Sequence, residues 1–82
     1  MDIRDEIYEY IVEKFEIEID DEFDGDVNIF DYGHIDSLGA VTIIEELERR
    51  YGIKIDERDL MLYPMSTINE IAAFVETKIE ST

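Results

Sequence analysis

The 82 residues carry 23 acidic and 7 basic side chains, a formal net charge of −16, which leaves room for one small domain (1–82) with a modest core. That charge repels nucleic acid and anionic membranes and favours basic protein partners, although it serves plain solubility equally well. With no cysteine, disulfides and thiolate zinc sites are excluded, and the acidic N-terminus lacks the uncharged run of a signal peptide or membrane span, so a cytoplasmic protein is expected.

Residues 2–15 place Ile3, Ile7, Ile11 and Phe15 at steps of four, with Tyr10 beside them and Asp5, Glu6, Glu9 and Glu13 elsewhere. This is the pattern of an amphipathic helix, and Tyr8 and Val12 widen its apolar face to suit more than one neighbour. From Glu16 to Asp36 the periodicity fails and a polar, turn-forming run begins, which reads as a long loop. Loops of that length are uncommon in small domains unless they have a job. Val27, Ile29, Phe30 and Ile35 are the side chains expected to pin it across the core.

Within the loop, Asp20, Glu22, Asp24, Gly25, Asp26 and Val27 are spaced much like an EF-hand calcium loop that would end at Asp31. Against that reading, Asp31 is shorter than the usual bidentate Glu, Glu22 stands where Asp or Asn is normal, and Gly33 with the cap at Asp36 interrupts the exiting helix. No metal site is therefore assigned; weak adventitious binding is expected. His34, the single histidine, stands near Asp36 and Ser37, but three residues at one helix entry do not converge as a catalytic triad must. It is read as a surface loop residue, and no catalytic residue is assigned.

The stretch from Gly33 to Tyr51 organises the rest. Asp36 and Ser37 are both good N-cap residues, and behind them Ala40, Ile43, Ile44, Leu47 and Tyr51 gather on one stripe at about 100° per residue. Leu38 falls well off that stripe and Val41 at its edge, so apolar side chains beside Ser37 are left to solvent and suggest a docking patch. Gly52 stops the helix, and Ile53 and Ile55 alternate with Lys54 in an extended segment. Asp56 caps a short helix through Leu62, with Leu60 and Met61 expected inward and Pro64 ending it. Thr67 and Glu70 form a capping box, after which Ile68, Ile71, Ala72, Val75 and Ile79 trace a last amphipathic helix flanked by Phe74. The expected fold is an all-α bundle of three longer helices and one short one, with a long loop between the first two.

A loop glycine, two residues, then Asp-Ser-Leu opening an acid-containing amphipathic helix resembles the attachment site of the acyl carrier protein family. The form here, Gly33, Asp36, Ser37, Leu38, Gly39 and Val41, is most similar to discrete carriers such as the D-alanyl carrier proteins, and the likeness in length, helix order and charge covers nearly the whole chain. The resemblance implies that Ser37 carries 4′-phosphopantetheine, donated by coenzyme A through a phosphopantetheinyl transferase with magnesium, and that Asp36 positions the serine. It also implies a monomeric carrier that is not an enzyme, loaded by an acyl or aminoacyl ligase and read by partners through Leu38, Val41, Thr42, Glu45 and Glu48. Thr42 replaces an acid frequent in fatty-acid carriers, and Arg49 with Arg50 reverses the acidity at the helix end, so the cargo stays open between an acyl chain and D-alanine. The reading from a different class is an acidic protein-interaction module in which Ser37 only opens a helix.

Overall fold

Asp2 has extended backbone and its carboxylate accepts the Asp5 N–H at 2.9 Å, which satisfies one of the open donors of the first turn and starts α1, Ile3–Lys14. The computed structural model describes residues 2–18, 25–32 and 35–80. Four helices follow α1: α2, Ile29–Tyr32; α3, Ser37–Tyr51; α4, Glu57–Leu62; and α5, Ile68–Glu80. The chain is all-helical among the described residues, a small bundle as the periodicity predicts.

The ends of α1 and α3 solve one problem with different residues. Glu16 lies at φ 51 and lets the Ile17 N–H fold back onto Val12 O at 3.0 Å, which buries Ile17. A left-handed turn of this kind normally falls to glycine. At the end of α3 it does, with Gly52 at φ 64 and its N–H on Glu48 O at 3.0 Å.

α1 and α5 pack most extensively against each other, and α3 lies on α5. The core between them is dominated by isoleucine: Ile7 and Ile11 from α1, Ile43 and Leu47 from α3, Ile68, Ile71, Phe74 and Val75 from α5. Ile43 and Leu47 carry the buried part of the α3 stripe, while Ala40, Ile44 and Tyr51 are half-buried. Phe74, expected beside the α5 stripe, is instead one of the largest fully buried side chains, and Ile79 at the other end of that stripe is exposed. The buried face of α5 is wider than one stripe because it is covered by α1 and α3 together and by the Tyr63 ring, whose centroid lies 5.2 Å from that of Phe74.

The loop after α1 contains a helical turn that periodicity does not reveal. Asn28 Oδ1 accepts the N–H groups of Phe30 and Asp31 at 2.9 and 3.2 Å and so opens α2, whose Ile29 is completely buried. Val27 and Phe30 pack against the core and Ile35 is within it, so all four expected pins hold. A polar knot ties this stretch to the start of α5. Gly25 O accepts the Asn69 N–H at 2.9 Å, Asp26 accepts from Asn69 Nδ2 at 2.8 Å, and Ser66 O accepts the Ile29 N–H at 2.9 Å. Arg4 of α1 donates to Asn69 Oδ1 at 2.6 Å, which brings a third segment into the same joint.

α4 departs most from expectation. Its capping box forms between Asp56 and Asp59, yet none of its residues is buried, and Leu60 and Met61, expected inward, are 45% and 86% exposed. Six residues make under two turns, and this helix lies on the surface, fastened by Lys78 Nζ on Asp59 Oδ2 at 2.9 Å and followed by the Tyr63 ring on Phe74. The capping box of α5 is as read: Glu70 N–H to Thr67 Oγ1 at 3.0 Å, with Glu70 Oε1 taking the Thr67 and Ser66 amides in return.

Candidate functional site

Of the two cap candidates at the head of α3, Asp36 is the one used. It has extended backbone, its Oδ1 accepts the Gly39 N–H at 2.9 Å, and its carbonyl receives the first helical bond from Ala40 N at 3.0 Å. Ser37 is thereby the first helical residue, exposed, with its hydroxyl free of hydrogen bonds to any other described residue. The cap takes the third amide of the turn, so the Ser37 and Leu38 N–H groups receive nothing from it. A 15-residue helix thus presents open donors and the positive end of its dipole around an exposed hydroxyl. Those features fit a phosphodiester on Ser37.

Along the same helix, Leu38 is 74% and Val41 48% exposed, and Glu45 is exposed beside them. Thr42 is half-buried and donates to Leu38 O at 3.1 Å. Glu48 is tied down more firmly, because its Oε2 accepts the Ile55 N–H at 2.8 Å and anchors the segment after α3. Arg49 and Arg50 do not present free positive charge at the helix end. Both pair with Glu46, at 2.7 and 3.0 Å, and Arg50 also lies 5.2 Å from the centre of the Tyr10 ring. The Arg49 hydrogen bonds hold the Glu46 carboxyl below its ordinary range.

Sequence reasoning missed a second exposed apolar group: Leu60, Met61, Leu62 and Tyr63. The signal was available, since three consecutive apolar residues at the end of so short a helix, with Tyr63 just beyond, cannot all face one side. Leu60 and Tyr63 form one wall of an apolar cavity of about 280 Å³ whose other side includes Ala40, Ile43 and Ile44 of α3. Ala40 stands one turn after Ser37, so part of the cavity's lining lies close to the head of α3.

Gly33 and His34 lie outside the described residues, as do Asp20, Glu22 and Asp24 of the EF-hand-like run. Among the described residues, no group of three or more histidine or acidic side chains is arranged to hold a metal, and no helix is long and apolar enough to cross a membrane.

An exposed serine opening a capped helix, in an acidic helical bundle, is an arrangement that suits a carrier domain. The family model described as "Phosphopantetheine attachment site" matches residues 5–75, and the chain belongs to that family. It is a carrier protein that holds its cargo as a thioester, with covalent 4′-phosphopantetheine as cofactor. The curated relatives include the D-alanyl carrier proteins of Streptococcus sanguinis, 38% identical over 71 residues, and of Streptococcus gordonii and Streptococcus thermophilus, each 37% identical over 71 residues. In all three comparisons the match covers 87% of this chain and 87% of the relative. No solved structure matches the chain. Carriers of this kind work with a phosphopantetheinyl transferase and with loading ligases, so the reading as a mere interaction module or calcium-loop protein finds no support.

Proposed function

We propose that Ser37 is the residue that carries the arm and that the chain, 1–82, acts as one monomeric carrier domain in the cytoplasm, without catalysis of its own. The observation that supports this most is the placement of an exposed hydroxyl on the first turn of α3, capped from outside by Asp36, at the helix end where amides are left open. In modification, Ser37 Oγ forms a bond to the phosphorus nearer the pantetheine in coenzyme A. The pyrophosphate bond breaks, the nucleotide half leaves, and the serine proton passes to a base on the transferase. Ser37 needs no base of its own chain for this. Once attached, the arm supplies the terminal thiol that holds the cargo. Asp36 keeps the first turn wound and the hydroxyl outward.

Leu38, Val41, Thr42, Glu45 and Glu48 are the proposed partner face, read by basic, apolar-lined grooves on the transferase and the loading ligase. Leu38 and Val41 supply its apolar contact and Glu45 its free charge, while Glu48 contributes with a carboxylate already engaged at Ile55. The cargo proposed is D-alanine, on the strength of the relatives' names. A second reading, a short acyl group, draws on the apolar cavity lined in part by Ala40.

Intact mass after incubation with a transferase and coenzyme A tests the attachment. The chain should gain about 340 Da, the mass of the arm, and Ser37→Ala should gain nothing while folding normally, since losing an exposed first-turn hydroxyl costs well under about 1 kcal/mol. Pantetheinylated Ser37→Ala would overturn the assignment. Loading of the modified chain by a D-alanine-activating ligase, set against an acyl-activating one, decides the cargo.

A further inference from the structure

The closest packing beneath the first turn of α3 involves a residue with no side chain. Gly39 is the third residue of the helix, its N–H held by Asp36 Oδ1 at 2.9 Å. A Cβ placed on it would stand 2.6 Å from Ile35 Cγ2 and 3.1 Å from Phe15 Cε1. The first distance is well inside van der Waals contact. Ile35 has little freedom to yield, because it is buried and its Cγ2 branches directly from a stiff Cβ. Glycine is otherwise among the poorest helix formers, so its presence here needs a reason other than helix formation. The close approach of backbone to two side chains supplies one.

The rest of α3 cannot follow a displaced first turn, because Ile43 and Leu47 are locked in the core. Any side chain at position 39 must therefore be accommodated between Asp36 and Ala40, the segment that holds both the cap and Ser37. Resting on the reading of Ser37 as the attachment residue, we propose that Gly39 is a positioning residue for its modification. The absent side chain sets how deeply the first turn seats on Phe15 and Ile35, and so where the Ser37 hydroxyl stands relative to Val41, Thr42 and Glu45 further along the helix. Those three stay in place when the turn is lifted, whereas Leu38 moves with Ser37. A transferase still docks through the residues further along the helix, but the hydroxyl is misplaced.

Steady-state pantetheinylation of the full chain tests this. Gly39→Ala should lower kcat about ten- to a hundredfold, while KM for the carrier rises by a smaller factor than kcat falls, the share that Leu38 carries. Ile35→Ala removes Cγ2 and is the reference against which the double variant is read, below its melting temperature. Gly39→Ala combined with Ile35→Ala should recover most of the kcat lost in Gly39→Ala alone, because the closest clash is then gone and Phe15, at 3.1 Å, need yield only slightly. Gly52→Ala is the control: at φ 64 it is strained, with nothing within 4 Å, so it should lower the melting temperature and leave kcat unchanged. A wild-type kcat for Gly39→Ala overturns the proposal, as does a double variant that stays as slow as Gly39→Ala. Should Gly39→Ala melt below the assay temperature, the double variant is compared with Ile35→Ala; nearly equal kcat is expected, and a kcat about tenfold lower in the double overturns it. Ser37→Ala runs in the same assay, and its modification would instead remove the reading on which the proposal rests.

Discussion

Tyr51, the last residue of α3, donates its hydroxyl to Glu6 Oε1 at 2.8 Å and so closes the joint between α3 and α1 at the end of the helix away from Ser37. Burial, then the hydrogen bond to the Glu6 carboxylate, pushes the phenol from its ordinary value of 10.0 up to about 12. The raised value means that folding favours the protonated phenol. The stability this contributes is fully present below pH 10.0, the unfolded value, and is lost as pH rises through about 12. Ultraviolet titration should therefore find a tyrosine ionising near pH 12, and Tyr51→Phe should abolish that late step. The gap in melting temperature between the native chain and Tyr51→Phe should also narrow across the same alkaline window. Asp59 shows the opposite sign at the acid end. The Lys78 hydrogen bond lowers its carboxyl below 3.8, so the contribution of this pair is present above that value and fades as pH falls through the lower, folded one.

Among elements, α3 divides cleanly between support and display, and two leucines on it measure the division. Leu47 is 1% exposed and Leu38 is 74% exposed. Leu47→Ala should cost roughly 2–5 kcal/mol by leaving a cavity, whereas Leu38→Ala should shift stability by less than about 0.5 kcal/mol yet weaken loading and modification. Chemical denaturation beside a modification assay checks both. If Leu38→Ala proves as destabilising as Leu47→Ala, the docking face is misplaced. The periodic helices α1, α3 and α5 were legible because each repeats apolar residues over three or more turns. α2 was not, since four residues carry no period and its helix depends on Asn28 and on Ser66 far along the chain. α4 was legible as a helix but not in its orientation, because Leu60 and Met61 look like core until Lys78 is seen to fix the helix on the surface. At the site, Ser37 and its cap were visible in the sequence, though the choice of Asp36 as the cap depends on backbone geometry. The burden on Gly39 was invisible, because Phe15 belongs to another part of the chain.

For the molecule as a whole, a net charge of −16 on a single small bundle means that folding brings like charges together. Pairs such as Glu46 with Arg49 and Arg50 offset little of it, since both arginines reach solvent and the pairs are screened. Melting temperature should thus rise as sodium chloride is raised from low to moderate concentration, and a flat or falling response would show that the acids are spaced widely enough not to repel. The contrast between α4 and the rest has a different outcome. With none of its residues buried and its fastening made chiefly through Asp59 and Lys78, α4 can unwind while α1, α3 and α5 remain packed. Measured by amide hydrogen exchange, its peptide groups should trade deuterium through local opening, orders of magnitude faster than the buried turns of α1 and α5. Breaking the Asp59–Lys78 pair should accelerate that exchange in α4 alone, so the bundle would have two melting thresholds, the lower one belonging to the wall of the cavity by Ala40.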